Sequence, residues 1–226
     1  TPFWRKALTE LNLPETWEAP RMLPAVDTGP SGVVLDDLQL APTLDWDTGF
    51  WTFWDPGEAG AHEALEVFID GALRGYRASR DRPDQAGTSR LSPHLHFGEI
   101  APWQIVRRLQ DERSASRDAD IDGYIRELGW REFSYHLLHH FPQTPDHNLN
   151  PRFDGFRWAP PNATELQAWQ QGRTGIPIID AGMRELWATG YMHNRVRMLV
   201  ASFLCKHLRQ HWREGARWFW DTLVDA

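Results

Sequence analysis

Chemistry-bearing side chains recur at helical spacing in three short stretches of the chain. In His193-Asn194-Arg195-Val196-Arg197-Met198, the residues Asn194, Arg197, Met198 and Ala201 stand at i, i+3, i+4 and i+7 and so share one helix face. That face carries an amide, a guanidinium and a thioether, with Arg195 beside it; a solvated helix start has the same composition. Glu127, Trp130, Arg131 and Ser134 repeat the spacing. A carboxylate, an indole and a guanidinium on one face make either an exposed ion pair with a stacked ring, worth only tenths of a kcal/mol, or a surface that hydrogen-bonds and stacks on a nucleobase. In Thr88-Ser89-Arg90-Leu91-Ser92-Pro93, hydroxyls, an arginine and free backbone N–H groups meet at a helix start. Ser92 reads as the N-cap and Pro93 as the first helical residue. The result is either an ordinary Ser-Pro cap or an anion site suited to a pyrophosphate.

The elements that must position these groups read as helices. Val196, Leu199, Val200, Phe203 and Leu204 give an apolar stripe to a helix running from Tyr191 to about Arg209. Glu58 to Tyr76 carries an unbroken stripe of Ala61, Ala64, Leu65, Phe68, Ile69, Ala72, Leu73 and Tyr76. Another helix opens at Pro102-Trp103, with Trp103, Val106 and Leu109 inward. Ser114 to Asp122 reads as a charged loop, followed by a helix from Tyr124 to Phe141 with Tyr124, Leu128, Tyr135 and Leu138 inward. Helices from Ala163 to Gln171, from Pro177 to near Gly190 (burying Ile178, Ile179, Met183, Leu186 and Trp187) and from Trp212 to Val224 complete the set. A short helix including Phe3, Trp4, Ala7, Leu8 and Leu11 opens the chain. From Leu13 to about Gly57 a Pro-, Asp- and Gly-rich segment without periodicity reads as an arm anchored by Trp46, Phe50, Trp51, Phe53 and Trp54. No strand pattern, internal repeat, Gly-x-Gly-x-x-Gly or P-loop signature is present. The fold expected is all-α.

Composition narrows the function classes. The chain has 226 residues, a net charge of -7 and one cysteine, Cys205, so no intrachain disulfide is possible and a reducing compartment is the simpler assumption. No apolar run approaches the ~20 residues of a membrane span. The net charge argues against a generic polyanion binder, yet it is uneven: residues 1–70 carry 13 acids against 3 bases, the remainder 18 against 21. Nearly all the bases are arginines, whose planar fork suits phosphate and carboxylate, although coding bias accounts for an arginine excess equally well. Thirteen tryptophans leave some free for stacking or electron transfer beyond those in the core. His136, His139, His140 and His147 include one i, i+4 pair, but no carboxylate or cysteine falls in register to complete a metal site, and none is expected.

These motifs, in this order, resemble the flavin domain of the DNA photolyase/cryptochrome family. The words His193 to Met198, Thr88 to Ser92 and Glu127-Leu128-Gly129-Trp130-Arg131-Glu132-Phe133 carry the resemblance, which runs from about Leu65 to Ala226. It implies a multi-helix FAD-binding cluster with an extended N-terminal arm: residues 1–57 as linker and wrapping arm, 58–226 as the FAD- and DNA-binding domain. By the same resemblance the antenna domain, with any antenna chromophore, is missing from the N-terminal side, and further flavin contacts lie past Ala226. It implies FAD held by Tyr76, Thr88, Ser89, Arg90, Leu91, Ser92, Tyr124, Arg131, Asn194, Arg197 and Asp225, with Asn194 at the reactive edge of the flavin and Arg197 paired with Asp225. DNA falls to Arg80, Glu127, Trp130, Arg131, Arg195 and Met198. Glu127 and Asn194 take catalytic roles, and Trp158 and Trp212 resemble members of the family's electron-transfer chain. Glu127, Trp130 and Met198 are most like a class I photo-lyase acting on cyclobutane pyrimidine dimers, a cytoplasmic monomer with dimer-containing DNA as partner. The alternatives are a cryptochrome-type blue-light sensor and, more remotely, a cofactor-free helical nucleic-acid-binding module.

Overall fold

A computed structural model describes residues 2–15, 18, 20–22, 24, 32–40 and 42–226. Among them ten α-helices follow in order and no strand occurs: α1 (Pro2–Glu10), α2 (Glu58–Asp70), α3 (Tyr76–Ser79), α4 (Ser92–His96), α5 (Pro102–Asp111), α6 (Asp118–His140), α7 (Ala163–Gln170), α8 (Pro177–Thr189), α9 (Asn194–Ser202) and α10 (Trp212–Thr222). The apolar stripes sort these helices into two cores. Leu65, Phe68 and Ile69 of α2 meet Ile105 and Leu109 of α5 and Ile121 and Tyr124 of α6 in the first. Trp169 of α7, Met183 and Leu186 of α8 and Val196 and Val200 of α9 form the second. Each such side chain contributes roughly 1.5–3 kcal/mol on full burial. Trp169 is fully buried and its indole donates to the Val200 carbonyl at 3.1 Å, so the one polar atom it takes inside is satisfied.

Several helix boundaries differ from those the periodicity predicts, each for a tertiary reason. The stripe from Glu58 to Tyr76 is two helices, not one, although Leu65, Phe68, Leu73 and Tyr76 are buried throughout. The chain turns at Gly75, whose φ of +81° favours glycine. Asp120 of α6 then accepts the N–H of Gly75 at 2.8 Å and of Arg77 at 2.9 Å, capping α3 from a distant segment. α6 itself starts at Asp118, inside the expected loop. Its first-turn acids, Asp118 and Asp120, favour a helix N-terminus as much as a loop. At its other end the inward stripe fails: Tyr135 is 50 % and Leu138 45 % exposed, because this 23-residue helix outruns the elements packed on it. α9 is shorter than expected. His193 caps it, and residues 203–207 widen into a π turn. Leu199 in α9, Ile178 and Trp187 in α8 face outward rather than inward, and Trp103 is half-buried.

The arm is described only in part. Trp46 packs against Trp187 with ring centroids 5.6 Å apart, and Trp54 donates to the Thr189 carbonyl at 2.7 Å, so these anchors are real. Trp51 and Phe53 are mainly exposed and do not anchor. α1 packs on α6. A Cβ on Gly129 would lie 2.2 Å from the Trp4 ring, so the glycine that loosens α6 is the seat for that indole.

Candidate functional site

Between the two cores runs a cleft of about 670 Å³, within the ~300–1,000 Å³ typical of ligand sites. Its floor and one wall come from the first core: Tyr76 of α3, the strap 88–92, and Tyr124, Glu127 and Arg131 of α6. The other wall comes from the second: Tyr191, Asn194, Arg195, Trp220 and Asp225.

The floor is hydrogen-bonded and buried. The Tyr124 hydroxyl donates to Ser89 Oγ at 2.9 Å, and the same oxygen accepts the Leu91 N–H at 3.3 Å. Tyr76 and Tyr124 meet edge to face at 5.3 Å. Burial pushes the Tyr76 hydroxyl up to about 12, against the pull of Arg80, and pushes Tyr124 up as well, so both stay protonated donors. Ser92 is not the N-cap of α4. Leu91 occupies that position and no side chain caps it, while Pro93 does lie in the first turn. Leu91 itself is 1 % exposed, so its side chain serves the core. Arg90 has a left-handed backbone, φ 54°, which is uncommon outside glycine, and its guanidinium stands 5.3 Å over the Tyr191 ring.

Tyr191, which the motif reading passed over, joins the two walls. Its ring lies 5.3 Å from Arg90 and 5.6 Å from Arg197, and its hydroxyl is 3.3 Å from Thr88 Oγ1. Arg197 does not line the cleft but acts behind it: Nε donates to the Met192 carbonyl at 2.7 Å and Nη2 to Asp225 Oδ2 at 3.0 Å. The Asp225 side chain is 6 % exposed, and its second oxygen, Oδ1, is buried with no partner. A buried, unsatisfied acceptor beside an open cleft fits a ligand N–H donor.

The mouth is an ion network. Arg80 Nη1 pairs with Glu127, and Arg195 Nε donates to Asp81 Oδ1 at 2.8 Å. Arg195 Nη1 lies 3.5 Å from Met198 Sδ. Met198 and Asn194 are exposed beside the rim. Arg131 lies in the cleft wall, donating to the Leu95 carbonyl at 3.0 Å and stacking 4.7 Å over Tyr135. Trp130 departs from the expected arrangement. It is 50 % exposed and packs on Phe133 in the groove that also holds Phe3 and Trp4, next to the cleft rather than in it. Trp158 and Trp212 also lie outside the cleft. The His211 ring stands between them, 4.8 Å from Trp158 and 5.7 Å from Trp212, and the Trp212 indole donates to Asn148 Oδ1 at 3.1 Å. His136 and His140 meet edge to face at 4.4 Å, and among the described residues no group of three metal-ligating side chains forms. Among the described residues no helix is long and apolar enough to cross a membrane.

Comparison with known proteins places the chain among relatives of one kind. Residues 124–226 match the FAD binding domain of DNA photolyase. A deoxyribodipyrimidine photo-lyase of Agrobacterium fabrum is 48 % identical over 231 residues, covering 100 % of the chain and 47 % of that protein. Cryptochrome-1 of Arabidopsis thaliana is 41 % identical over 180 residues, covering 76 % of the chain and 26 % of the cryptochrome. The crystal structure of a bacterial class III photolyase from Agrobacterium tumefaciens superposes with a TM-score of 0.91 at 47 % identity, over 100 % of the chain and 47 % of that structure. The chain thus spans about half the length or less of these relatives. The class I assignment expected from the resemblance gains no support, since this solved relative is a class III enzyme.

Proposed function

This chain belongs to the photolyase/cryptochrome family, in its FAD-binding helical part, and we propose that it serves light-driven repair of cyclobutane pyrimidine dimers in DNA. The observation that carries the reading is the cleft itself: a hydroxyl-lined strap, two protonated tyrosines and a buried, half-satisfied carboxylate on one cavity, with arginines and Glu127 at its mouth. FAD, when bound, supplies light absorption and the electron that splits the dimer and then returns.

The chain's own residues hold and orient. Thr88, Ser89, Arg90 and Ser92, with the backbone at Leu91, receive the diphosphate, and Tyr76, Tyr124 and Arg131 line its seat. Arg197 fixes Asp225, whose free Oδ1 would accept an N–H of bound flavin, and Asn194 would stand beside its ring. Arg80 and Arg195 take lesion-strand phosphates. Glu127, Met198 and Trp130 contact the dimer, which must leave the duplex stack as in other base-flipping enzymes. Trp158 and Trp212, each in contact with the His211 ring, would belong to a chain of oxidisable rings that supplies electrons to bound flavin. Residues 58–226 form the FAD- and DNA-binding domain and 1–57 the arm that leads into it.

Two measurements test this. The purified protein titrated with FAD should develop a bound-flavin absorption spectrum, and Arg90→Ala should weaken retention about tenfold or more, the scale of one charge-assisted hydrogen bond. Under light, the flavin-loaded protein should restore dimer-containing DNA. Bound flavin without repair would favour the cryptochrome-type sensor, which the 41 % identity to a cryptochrome supports. No flavin binding at all would leave only a helical nucleic-acid-binding module.

A further inference from the structure

We propose that Asp81 is a specificity-determining residue: its carboxylate occupies the mouth arginines against unselective phosphate contact while fixing the side chains that meet a lesion. The proposal rests on the DNA reading above. Asp81 Oδ1 accepts from Arg195 Nε at 2.8 Å and from Arg80 Nε at 3.4 Å, so one carboxylate oxygen bridges the two walls of the cleft. Each arginine reaches onward. Arg80 pairs through Nη1 with Glu127, and Arg195 Nη1 lies 3.5 Å from Met198 Sδ. The path Glu127, Arg80, Asp81, Arg195, Met198 is therefore continuous from α6 to α9. His193 reinforces it, its Nε2 standing 3.0 Å from the Arg80 carbonyl.

The two consequences of this bridge have opposite signs. Binding to undamaged DNA draws on phosphate neutralisation alone. A phosphate reaching Arg195 must displace or share Asp81, an acceptor of its own charge sign that is already seated. Asp81 is half exposed, at 53 %, so the exchange is open to solvent and its cost is that of a surface ion pair. Binding to a lesion draws in addition on contacts to the base itself, and the bridge holds the arginines that position Glu127 and Met198. Removing the carboxylate frees Arg195 for any phosphate, while Arg80 keeps its pair with Glu127, and it loosens the lesion contacts at the same time. Discrimination built on a repulsive element is lost in that way when the element is removed.

The experiment is fluorescence anisotropy with the full chain on two duplexes of one sequence, one carrying a single thymine dimer, over a salt series. Asp81→Asn keeps the size and removes the charge. It should bind the undamaged duplex about two- to fivefold tighter, the range of an exposed ion pair, with the log–log salt slope steeper by roughly 0.9, one phosphate contact. Its affinity for the damaged duplex should rise less or fall, so the damaged-to-undamaged ratio drops. Asp81→Glu, which keeps the charge, should keep the wild-type salt slope. A wild-type protein that prefers the damaged duplex, beside an Asp81→Asn variant with unchanged ratio and slope, overturns this proposal and leaves the repair reading standing. Weaker binding of Asp81→Asn to both duplexes by the same factor also overturns it, since that is the mark of a merely structural role. A wild-type protein with no preference for the damaged duplex overturns the DNA reading, and this proposal with it.

Discussion

The Arg197–Asp225 pair deep in the cleft and the Arg195–Asp81 pair at its mouth join the same two residue types on opposite physical terms. At the floor, Ser89, Tyr124 and Tyr76 are hydrogen-bonded or packed in the first core, and Asp225 is buried with one oxygen committed to Arg197. At the mouth, Arg195 and Asp81 are 41 % and 53 % exposed and hold each other by an ion pair that water and salt can replace. A buried group is expensive to rearrange and therefore pre-organised; an exposed pair is cheap to exchange and therefore fit for a partner that comes and goes. The difference matches a resident cofactor below and a transient polyanion above.

The largest expected effect breaks the floor. Arg197→Ala strands the Asp225 carboxylate, 6 % exposed, without its cation. The loss should approach about 3 kcal/mol, the lower end for a broken buried pair given that Arg197 itself is partly exposed. Urea unfolding gives that figure directly, and a drop within the error of an exposed pair would show that floor and mouth do not differ.

At the rim, Trp130→Ala should lower affinity for dimer-containing DNA by roughly 1–3 kcal/mol, the scale of one stacked base, and leave undamaged DNA nearly unaffected. Competition binding with the two DNAs reads the difference. Equal losses would assign Trp130 to the Phe3–Trp4–Phe133 groove alone.

His193 links the two regions and makes the comparison depend on pH. Its Nδ1 accepts the Arg195 N–H at 3.2 Å and caps α9, while Nε2 faces the Arg80 carbonyl. Burial holds its pKa below the ordinary 6.5, with the Arg80 carbonyl pulling the other way. The unfolded chain therefore takes up the proton first as pH falls, so the stabilisation is complete above 6.5 and is lost as pH drops through the lower folded value. Protonation turns Nδ1 from acceptor to donor and removes the cap, worth about 1 kcal/mol. His211, whose Nδ1 accepts the Arg213 N–H at 3.2 Å, adds a second acid-sensitive cap at α10. Thermal melts from pH 7.5 down to about 5 should show the decline, and His193→Asn, a cap at any pH, should flatten it. A parallel decline in that variant would remove His193 from the account.

The smallest effect belongs to the mouth. Arg195→Ala should cost less than about 1 kcal/mol of stability, as exposed pairs do. It should weaken binding to all DNA and flatten the log–log salt slope by roughly 0.9. A larger stability loss would mean that the mouth, too, is structural.

Local pattern was enough for most elements. The starts of α2, α8 and α10 at Glu58, Pro177 and Trp212, the extent of α7 and the hydroxyl-rich strap 88–92 all express themselves within a few residues, because helix period and start signals act over one or two turns. The motif words implied what occupies the cleft, yet carried no geometry for it. Sequence alone determined that the chain is helical and marked three stretches that all contribute to the lining of one cleft. Tertiary structure decided which groups are spent on one another. Asp120 reaches Gly75 across 45 residues, and Asp81 meets Arg195 across 114. Trp4 enters the space that Gly129 leaves, and this turns an apparent weakness of α6 into a docking seat. Tyr135 and Leu138 carry the period of a buried face and still lie about half exposed. Periodicity states which residues share a side of a helix; whether anything packs against that side depends on segments far away in the chain, and the pairing of charges depends on where those segments end in space.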